Sequence, residues 1–289
     1  MTFNDNANVG GNTARRRGAG VAVAGGGVAG LGAIAVILFQ LFTGQDLSSI
    51  IPGGGQVGAG EESEIQQCET GADANARDDC RLAAGSVVLD EYWGRQVEGY
   101  RAPQLIIVDQ QTGSQCGTAS NQTGPFYCPP EETVYIDPTF FGLLRERFDA
   151  SAGELAQLYV LAHEYGHHVQ YIAGIMDQHP NNGTGPDSNG VRTELQADCF
   201  AGAWVGGMTQ ETDDNGVPYL EEPTQQQIAD AIDAAGTVGD DHIQQESGGF
   251  VNPESWTHGS SEQRQRWFQT GYQNGPSACD TFGVPGGSL

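Results

Sequence analysis

His163-Glu164-Tyr165-Gly166-His167 places two imidazoles four residues apart with a carboxylate beside the first. On a helix each residue turns about 100°, so residues four apart lie about 40° apart and share a face. The pair can therefore grip one metal ion. Glu164, roughly 60° from His167 on the same surface, can reach a water on that ion. Two neutral His ligands, an open coordination position and a nearby carboxylate are the working parts of a zinc hydrolase. The spacing carries this meaning only on a helix, and the flanking residues predict one. Ser151 and Glu154 form an S-x-x-E capping-box pattern, Leu155, Leu158, Tyr159, Ala162 and Val169 recur at helical spacing, and Gly174 fits a C-terminal stop.

A catalytic zinc site takes three protein ligands plus water. The third candidate is Glu194, in a second helical segment, Val191 to Trp204, whose Val191, Leu195, Phe200 and Trp204 fall broadly on one side. Asp198 lies four residues on, on the Glu194 face. Apolar neighbours turn that face inward, and a buried carboxylate needs a partner. One carboxylate can bind the metal while the other accepts the N–H of a ligating His and fixes its tautomer. The remaining histidines fit less well. His168 lies about 140° from His163 and faces away. His179 sits in the Pro/Asn/Gly-rich loop 177–190, and His242 follows the polar turn Gly239-Asp240-Asp241. His258, in Trp256-Thr257-His258-Gly259, can stabilise a transition-state oxyanion or serve as a structural hydrogen-bonding group.

The blocks HEYGHHVQ (163–170) and ELQADCFAGA (194–203) resemble those of a bacterial family of neutral zinc metallopeptidases. Matching blocks are CETGADANARDDCR (68–81), GPFYCP (124–129), VYIDP (134–138), GDDHIQ (239–244) and THGSSEQRQRWF (257–268), spanning about residues 67 to 282. The resemblance implies a short cytoplasmic tail, one membrane anchor and an exported, zincin-like metallopeptidase domain. It also implies His163, His167 and Glu194 as ligands of a single Zn²⁺, with Glu164 as the base. The sequence departs from the pattern at none of these four positions.

The elements that must position these residues read as an α+β domain, helix-rich, with a small sheet beside the metal helix. A helix is predicted over Leu82 to Val97, and strands at Leu105-Ile106-Ile107-Val108 and Thr133-Val134-Tyr135-Ile136. Asp137-Pro138 opens a further helix as cap and first residue. Two more helices follow, Thr224 to Ala235 and Glu262 to Gly271. Such peptidases hold substrate along an edge strand, for which Thr133–Ile136 is the candidate.

The chain has 289 residues, formal net charge −25, 43 glycines, and twelve basic residues that are all arginine. An acidic surface of this kind repels nucleic acid and anionic lipid. Val21 to Phe42 is almost wholly apolar and long enough for one helical crossing. Arg15-Arg16-Arg17 before it orient the N-terminus inwards. The expected layout is a cytoplasmic tail (1–20), a transmembrane anchor (21–42), a Gly/Ser/acidic linker (43–66) and an extracytoplasmic domain (67–289), in the cytoplasmic membrane. A cleaved signal peptide is the weaker reading, because no small-x-small site follows Phe42. All six cysteines lie beyond the apolar run. The local pairs Cys68–Cys80 and Cys116–Cys128 leave Cys199–Cys279, and the absence of C-x-x-C argues against a Cys-based metal site.

The expected function is hydrolysis of peptide or protein substrates outside the membrane, with Glu164 moving the proton of a metal-activated water. The alternatives are a tethered binding or scaffold module with a structural zinc, closed if Asp198 is a fourth ligand, and an amidase acting on cell-wall peptide.

Overall fold

A computed structural model describes residues 3–23, 56–148, 153–246 and 250–289. The fold is α+β. Its main sheet has the order β2 (Gln56–Glu64), β1 (Arg15–Val23), β3 (Gln104–Val108), β7 (Thr133–Ile136), β6 (Phe126–Cys128). β1, β3 and β7 run parallel, and β2 and β6 are antiparallel edges. β3 and β7 read as unbroken apolar runs because both faces are covered, as parallel strands require. β4 (Gln111–Ser114) and β5 (Gly117–Ser120) form a separate hairpin.

Nine helices are described: α1 (Gly71–Ala76), α2 (Asp78–Gln96), α3 (Phe140–Phe148), α4 (Glu154–Ile172), α5 (Ile175–Gln178), α6 (Asn189–Gly207), α7 (Gln225–Thr237), α8 (Asp240–Glu246) and α9 (Ser261–Asn274). α2 and α4 pack against the sheet, and α6 packs between α4 and α9. α4 is buried almost all round, including Leu155, Leu158, Leu161, Ala162 and Tyr165. It ends where Gly174 adopts φ 71°, the left-handed stop expected there. Its N-cap is Gly153, with no side-chain cap, and Ser151 of the expected capping box lies outside the described residues.

Two glycines set the spacing of the helices around the site. A Cβ on Gly166, between the two metal-site histidines, would lie 3.0 Å from Ala197 Cα and 3.2 Å from Ala197 O, so α4 and α6 meet backbone to backbone. A Cβ on Gly271 of α9 would fall 1.8 Å from Cys199 O, so α9 rests directly on α6. Gly166→Val is expected to force α4 and α6 apart. Overpacking of this kind costs about 1–3 kcal/mol, so a melting curve and a zinc titration should both show loss relative to wild type.

The three expected disulfides are present: Cys68–Cys80, Cys116–Cys128 and Cys199–Cys279. The last ties α6 to the C-terminal segment.

The N-terminal layout differs from the expectation. Residues 3–20 are not a separate tail: Phe3, Ala7, Val9 and Ala14 are buried in the main core, and β1 is an interior strand. The basic triplet that reads as a topogenic signal lies instead in strand backbone, with Arg16 paired to Asp79 and Arg17 to Glu62. The expected linker 43–66 contains β2 from residue 56, and 43–55 lies outside the described residues. Of the expected anchor, Val21–Val23 end β1 and residues 24–42 lie outside the described residues. No helix among the described residues is long and apolar enough to cross a membrane.

Candidate metal centre

His163, Glu164 and His167 lie on α4 and Glu194 on α6, at the place where Gly166 lets the two helices touch. His163 Nε2 is 3.2 Å from Glu194 Oε2, and His167 Nε2 is 3.6 Å from Glu194 Oε1. One donor atom from each of the three side chains lies within 4.8 Å of the others.

Both imidazoles are oriented from behind. His163 Nδ1–H donates to Asp198 Oδ1 at 2.8 Å, the bond expected of Asp198 from its spacing. His167 Nδ1–H donates to Gln170 Oε1 at 2.9 Å, and the Gln170 amide donates to Thr193 O and Gln196 Oε1. Each Nε2 is thus left facing Glu194, and its lone pair becomes available to a metal once the ring is neutral. The donor set, the fixed tautomers and the shared focus fit a divalent zinc ion.

Gln170 and Arg264 were not singled out from the sequence. Gln170 stands three residues after His167, one helical turn along, and that spacing was the available signal. Arg264 gave none, because only the tertiary fold brings α9 over Asp198. Its Nε donates to Asp198 Oδ2 at 2.8 Å and its Nη2 to Oδ1 at 2.9 Å, and Tyr159 OH also donates to Oδ1 at 2.6 Å. Arg264 and Asp198 are both buried, at 3% and 0% exposure.

The electrostatics follow from this packing. Burial raises the Asp198 carboxyl, but the Arg264 and His163 charges outweigh it and hold it at about 2. Burial pulls the His163 imidazolium down, yet Asp198 and Glu194 lift it to about 10. Glu194 is held well below the carboxylate range: burial opposes this, and the charge of His167, then that of His258, overcomes it. Glu164 moves the other way, raised by burial, with the neighbouring imidazoles and a hydrogen bond from Tyr127 N–H opposing.

These directions give a pH prediction. In the metal-free protein the raised His163 contributes stability in full below its ordinary value of 6.5, and this is lost as pH climbs towards about 10. Zinc requires the neutral ring, so binding near pH 7 must expel a proton. Titration calorimetry in buffers of different protonation heat should show that release. Melts of metal-free protein should fall between about pH 7 and 10 while the zinc-induced gain in Tm grows. A zinc-binding heat independent of buffer would contradict the assignment.

The other histidines stand apart from the cluster. His168 does face away: it is buried, its Nε2–H donates to Arg101 O, and its Nδ1 accepts from Tyr127 OH. His179 stacks on Phe282, and His242 Nδ1–H donates to Thr237 O. His258 comes closer. Its Nδ1 lies 2.8 Å from Thr257 Oγ1, and Asp240 Oδ2 clamps its loop by accepting the N–H groups of Thr257, His258 and Gly259. A Cβ on Gly259 would lie 3.2 Å from Val191 and 3.3 Å from Leu195, so this loop rests on α6 beside Glu194.

Thr133–Ile136 is not the edge expected to take substrate. It is β7, paired to β3 on one side and β6 on the other, so its backbone groups are spent. The edge on that side is β6, which packs against α4, the helix that carries Glu164.

An α+β domain with H-E-x-x-H on one helix and a carboxylate from a neighbouring helix has the layout of a zinc metallopeptidase. Consistent with this, the chain belongs to the family described as "Putative neutral zinc metallopeptidase", whose model matches residues 3–282. It is 48% identical over 221 residues to the uncharacterised protein Rv2575 of Mycobacterium tuberculosis, covering 76% of this chain and 75% of that one. It is 37% identical over 270 residues to the uncharacterised protein YpfJ of Escherichia coli, covering 89% and 88%. No solved structure matches.

Proposed function

We propose that this protein is a zinc-dependent peptidase that hydrolyses peptide bonds outside the cytoplasmic membrane. The observation that supports the reading is that three side chains, His163, His167 and Glu194, bring one donor atom each within 4.8 Å of the others, the number a catalytic zinc takes from its protein. Among the described residues the only other group with ligand spacing is built on the Cys68–Cys80 disulfide, whose sulfurs are spent. Asp198, the residue that would close the site, has both oxygens committed to Arg264, with His163 and Tyr159 sharing one of them. A structural zinc needs four protein donors, so the scaffold reading has the weaker support.

His163, His167 and Glu194 would hold the zinc ion, which would supply Lewis acidity towards a water and a substrate carbonyl. Glu164 accepts the proton of the attacking water and hands it to the departing amine. Its burial raises the carboxyl above its ordinary value, the direction that favours a group which must both take and return a proton. Asp198, held ionised by Arg264, keeps His163 turned towards the metal. An extended peptide laid on the open side of β6 would add a strand to the sheet and bring its backbone alongside Glu164. Three disulfides support a place in an oxidising compartment.

The test is mass-spectrometric profiling of a peptide mixture incubated with the purified full chain, with and without chelator and after zinc is restored. New termini should arise in the zinc-loaded samples alone. Zinc-loaded protein that cleaves neither peptides nor cell-wall peptide amides would overturn the reading.

A further inference from the structure

Behind the metal centre runs a buried chain of amides whose far end lies in neither metal helix. His167 Nδ1–H donates to Gln170 Oε1 at 2.9 Å. Gln170 Nε2 donates to Thr193 O at 2.7 Å and to Gln196 Oε1 at 3.1 Å. Gln196 Nε2 in turn donates to Cys279 O at 2.8 Å. Gln170 is 0% exposed, Gln196 6% and Cys279 2%, so solvent is a poor substitute for any of these partners.

A side-chain amide can be reversed end for end, because its oxygen accepts and its nitrogen donates. A backbone carbonyl only accepts, and that breaks the ambiguity. Cys279 O takes the Gln196 NH₂ and so turns Gln196 Oε1 towards Gln170. That oxygen and Thr193 O both take the Gln170 NH₂, which turns Gln170 Oε1 towards His167. A ring that donates through Nδ1 leaves Nε2, the atom beside Glu194, as the one to bind a metal. With Gln196 reversed, its NH₂ would face the NH₂ of Gln170. Gln170 could relieve that clash only by turning its own NH₂ on His167. The ring would then accept at Nδ1 and carry its proton on Nε2, where a metal has to bind.

The carbonyl at the end of the chain is held in place. A disulfide joins Cys279 to Cys199 of α6. Two residues on, Thr281 Oγ1–H donates to Arg192 O, and Arg192 Nη1 donates to Thr281 O and Val284 O. Arg192, Gln196 and Cys199 are spaced four and three apart, so one stripe of α6 grips the C-terminal segment. Glu194 and Asp198, on another face of the same helix, serve the metal centre. We propose that Gln196 is a positioning residue for His167, and that the Cys279 carbonyl, pinned by the Cys199–Cys279 disulfide, sets its direction. This role rests on the metal centre and not on the peptide chemistry assigned to it.

The test is the zinc affinity of the full chain, measured by competition with a chromophoric chelator. Gln196→Leu removes both ends of the amide at similar size. Its affinity should fall about tenfold, the lower end of the range for outer partners of ligating histidines. Gln170→Leu should lose about 10–100-fold, and adding Gln196→Leu to it should cost nothing more, because the relay is already cut. A general loosening of the fold would instead add to the first loss. In excess chelator the Gln196→Leu melt should stay close to that of wild type, since Cys279 O still accepts Thr281 N–H and Gln170 still reaches Thr193 O. Cys199→Ser combined with Cys279→Ser frees the anchor and should weaken zinc binding in the same direction. Wild-type affinity in Gln196→Leu or in the serine pair, or full additivity with Gln170→Leu, would overturn the proposal and leave the metal centre standing. Wild-type protein that takes up no zinc would overturn both. Should Gln196→Leu fail to accumulate, Gln196→Met replaces it with the same expectations.

Discussion

Glu164→Gln is expected to retain zinc and lose peptide cleavage. The substitution keeps the shape of the side chain and an oxygen able to accept a hydrogen bond. It removes the one thing the proposed mechanism needs at that atom, a place for a proton. Glu164 is 7% exposed and lies next to, but outside, the donor set of His163, His167 and Glu194, so the metal has no reason to leave. General acid–base groups contribute about 10²–10⁴-fold. Because Glu164 serves both halves of the reaction, the loss should reach at least the upper end of that range, and in kcat more than in KM. Atomic absorption should return equal zinc in variant and wild type, and peptide profiling should show no new termini. Cleavage undiminished in Glu164→Gln would remove Glu164 from the role of base.

The parts legible in the sequence were those with local signatures. H-E-x-x-H, the Glu194/Asp198 pair and the left-handed glycine at 174 are each defined within one or two helical turns, where geometry follows directly from spacing. The strands of β3 and β7 announced themselves as short apolar runs. What escaped depends on contacts distant in sequence. Arg264 looked like any polar residue of an amphipathic helix, and its burial is created by Gly271 seating α9 on α6. In the sequence β7 reads as an edge, because nothing in Thr133–Ile136 reveals that the three-residue β6 covers it. The arm is hidden in the sequence for a different reason. Its Asn/Gly-rich composition has the polarity of a disordered tail, yet Phe3, Ala7, Val9 and Ala14 are spaced to enter a core that other elements supply. The arginines of β1 match a topogenic signal in composition while serving as a strand whose ion pairs, with Glu62 and Asp79, lie tens of residues away.

His163→Ala and Asp198→Ala touch the same hydrogen bond, yet they are expected to fail in different ways. His163→Ala deletes a donor of the metal centre. Zinc should be lost, and activity with it, but Asp198 keeps its ion pair with Arg264 and its bond from Tyr159, and Glu194 keeps His167 as a partner. Measured in chelator, where zinc stabilises neither protein, its melt should sit near that of wild type at pH values above the His163 titration. Asp198→Ala leaves the Arg264 guanidinium at 3% exposure with only the carbonyl of Val238 and the Tyr159 hydroxyl for company. Removing one partner of a buried ion pair costs about 3–5 kcal/mol. At roughly 2–4 °C per kcal/mol for a domain of this size, Tm should fall by about 6–20 °C even without metal. The carboxylate is depressed to about 2 from an ordinary 3.8, so its contribution is complete above the ordinary value and fades only as pH drops towards 2. The Tm gap between Asp198→Ala and wild type should therefore be full at neutral pH and narrow in strong acid. Asp198→Asn, which keeps an acceptor for Arg264 but weakens the hold on His163, should lie between the two. Zinc affinity there should drop about 10–100-fold, as for other outer-shell partners of ligating histidines. If His163→Ala melts as low as Asp198→Ala in chelator at high pH, the network stabilises the fold through the histidine and not through the Asp198–Arg264 pair, and the division of labour argued from these distances is wrong.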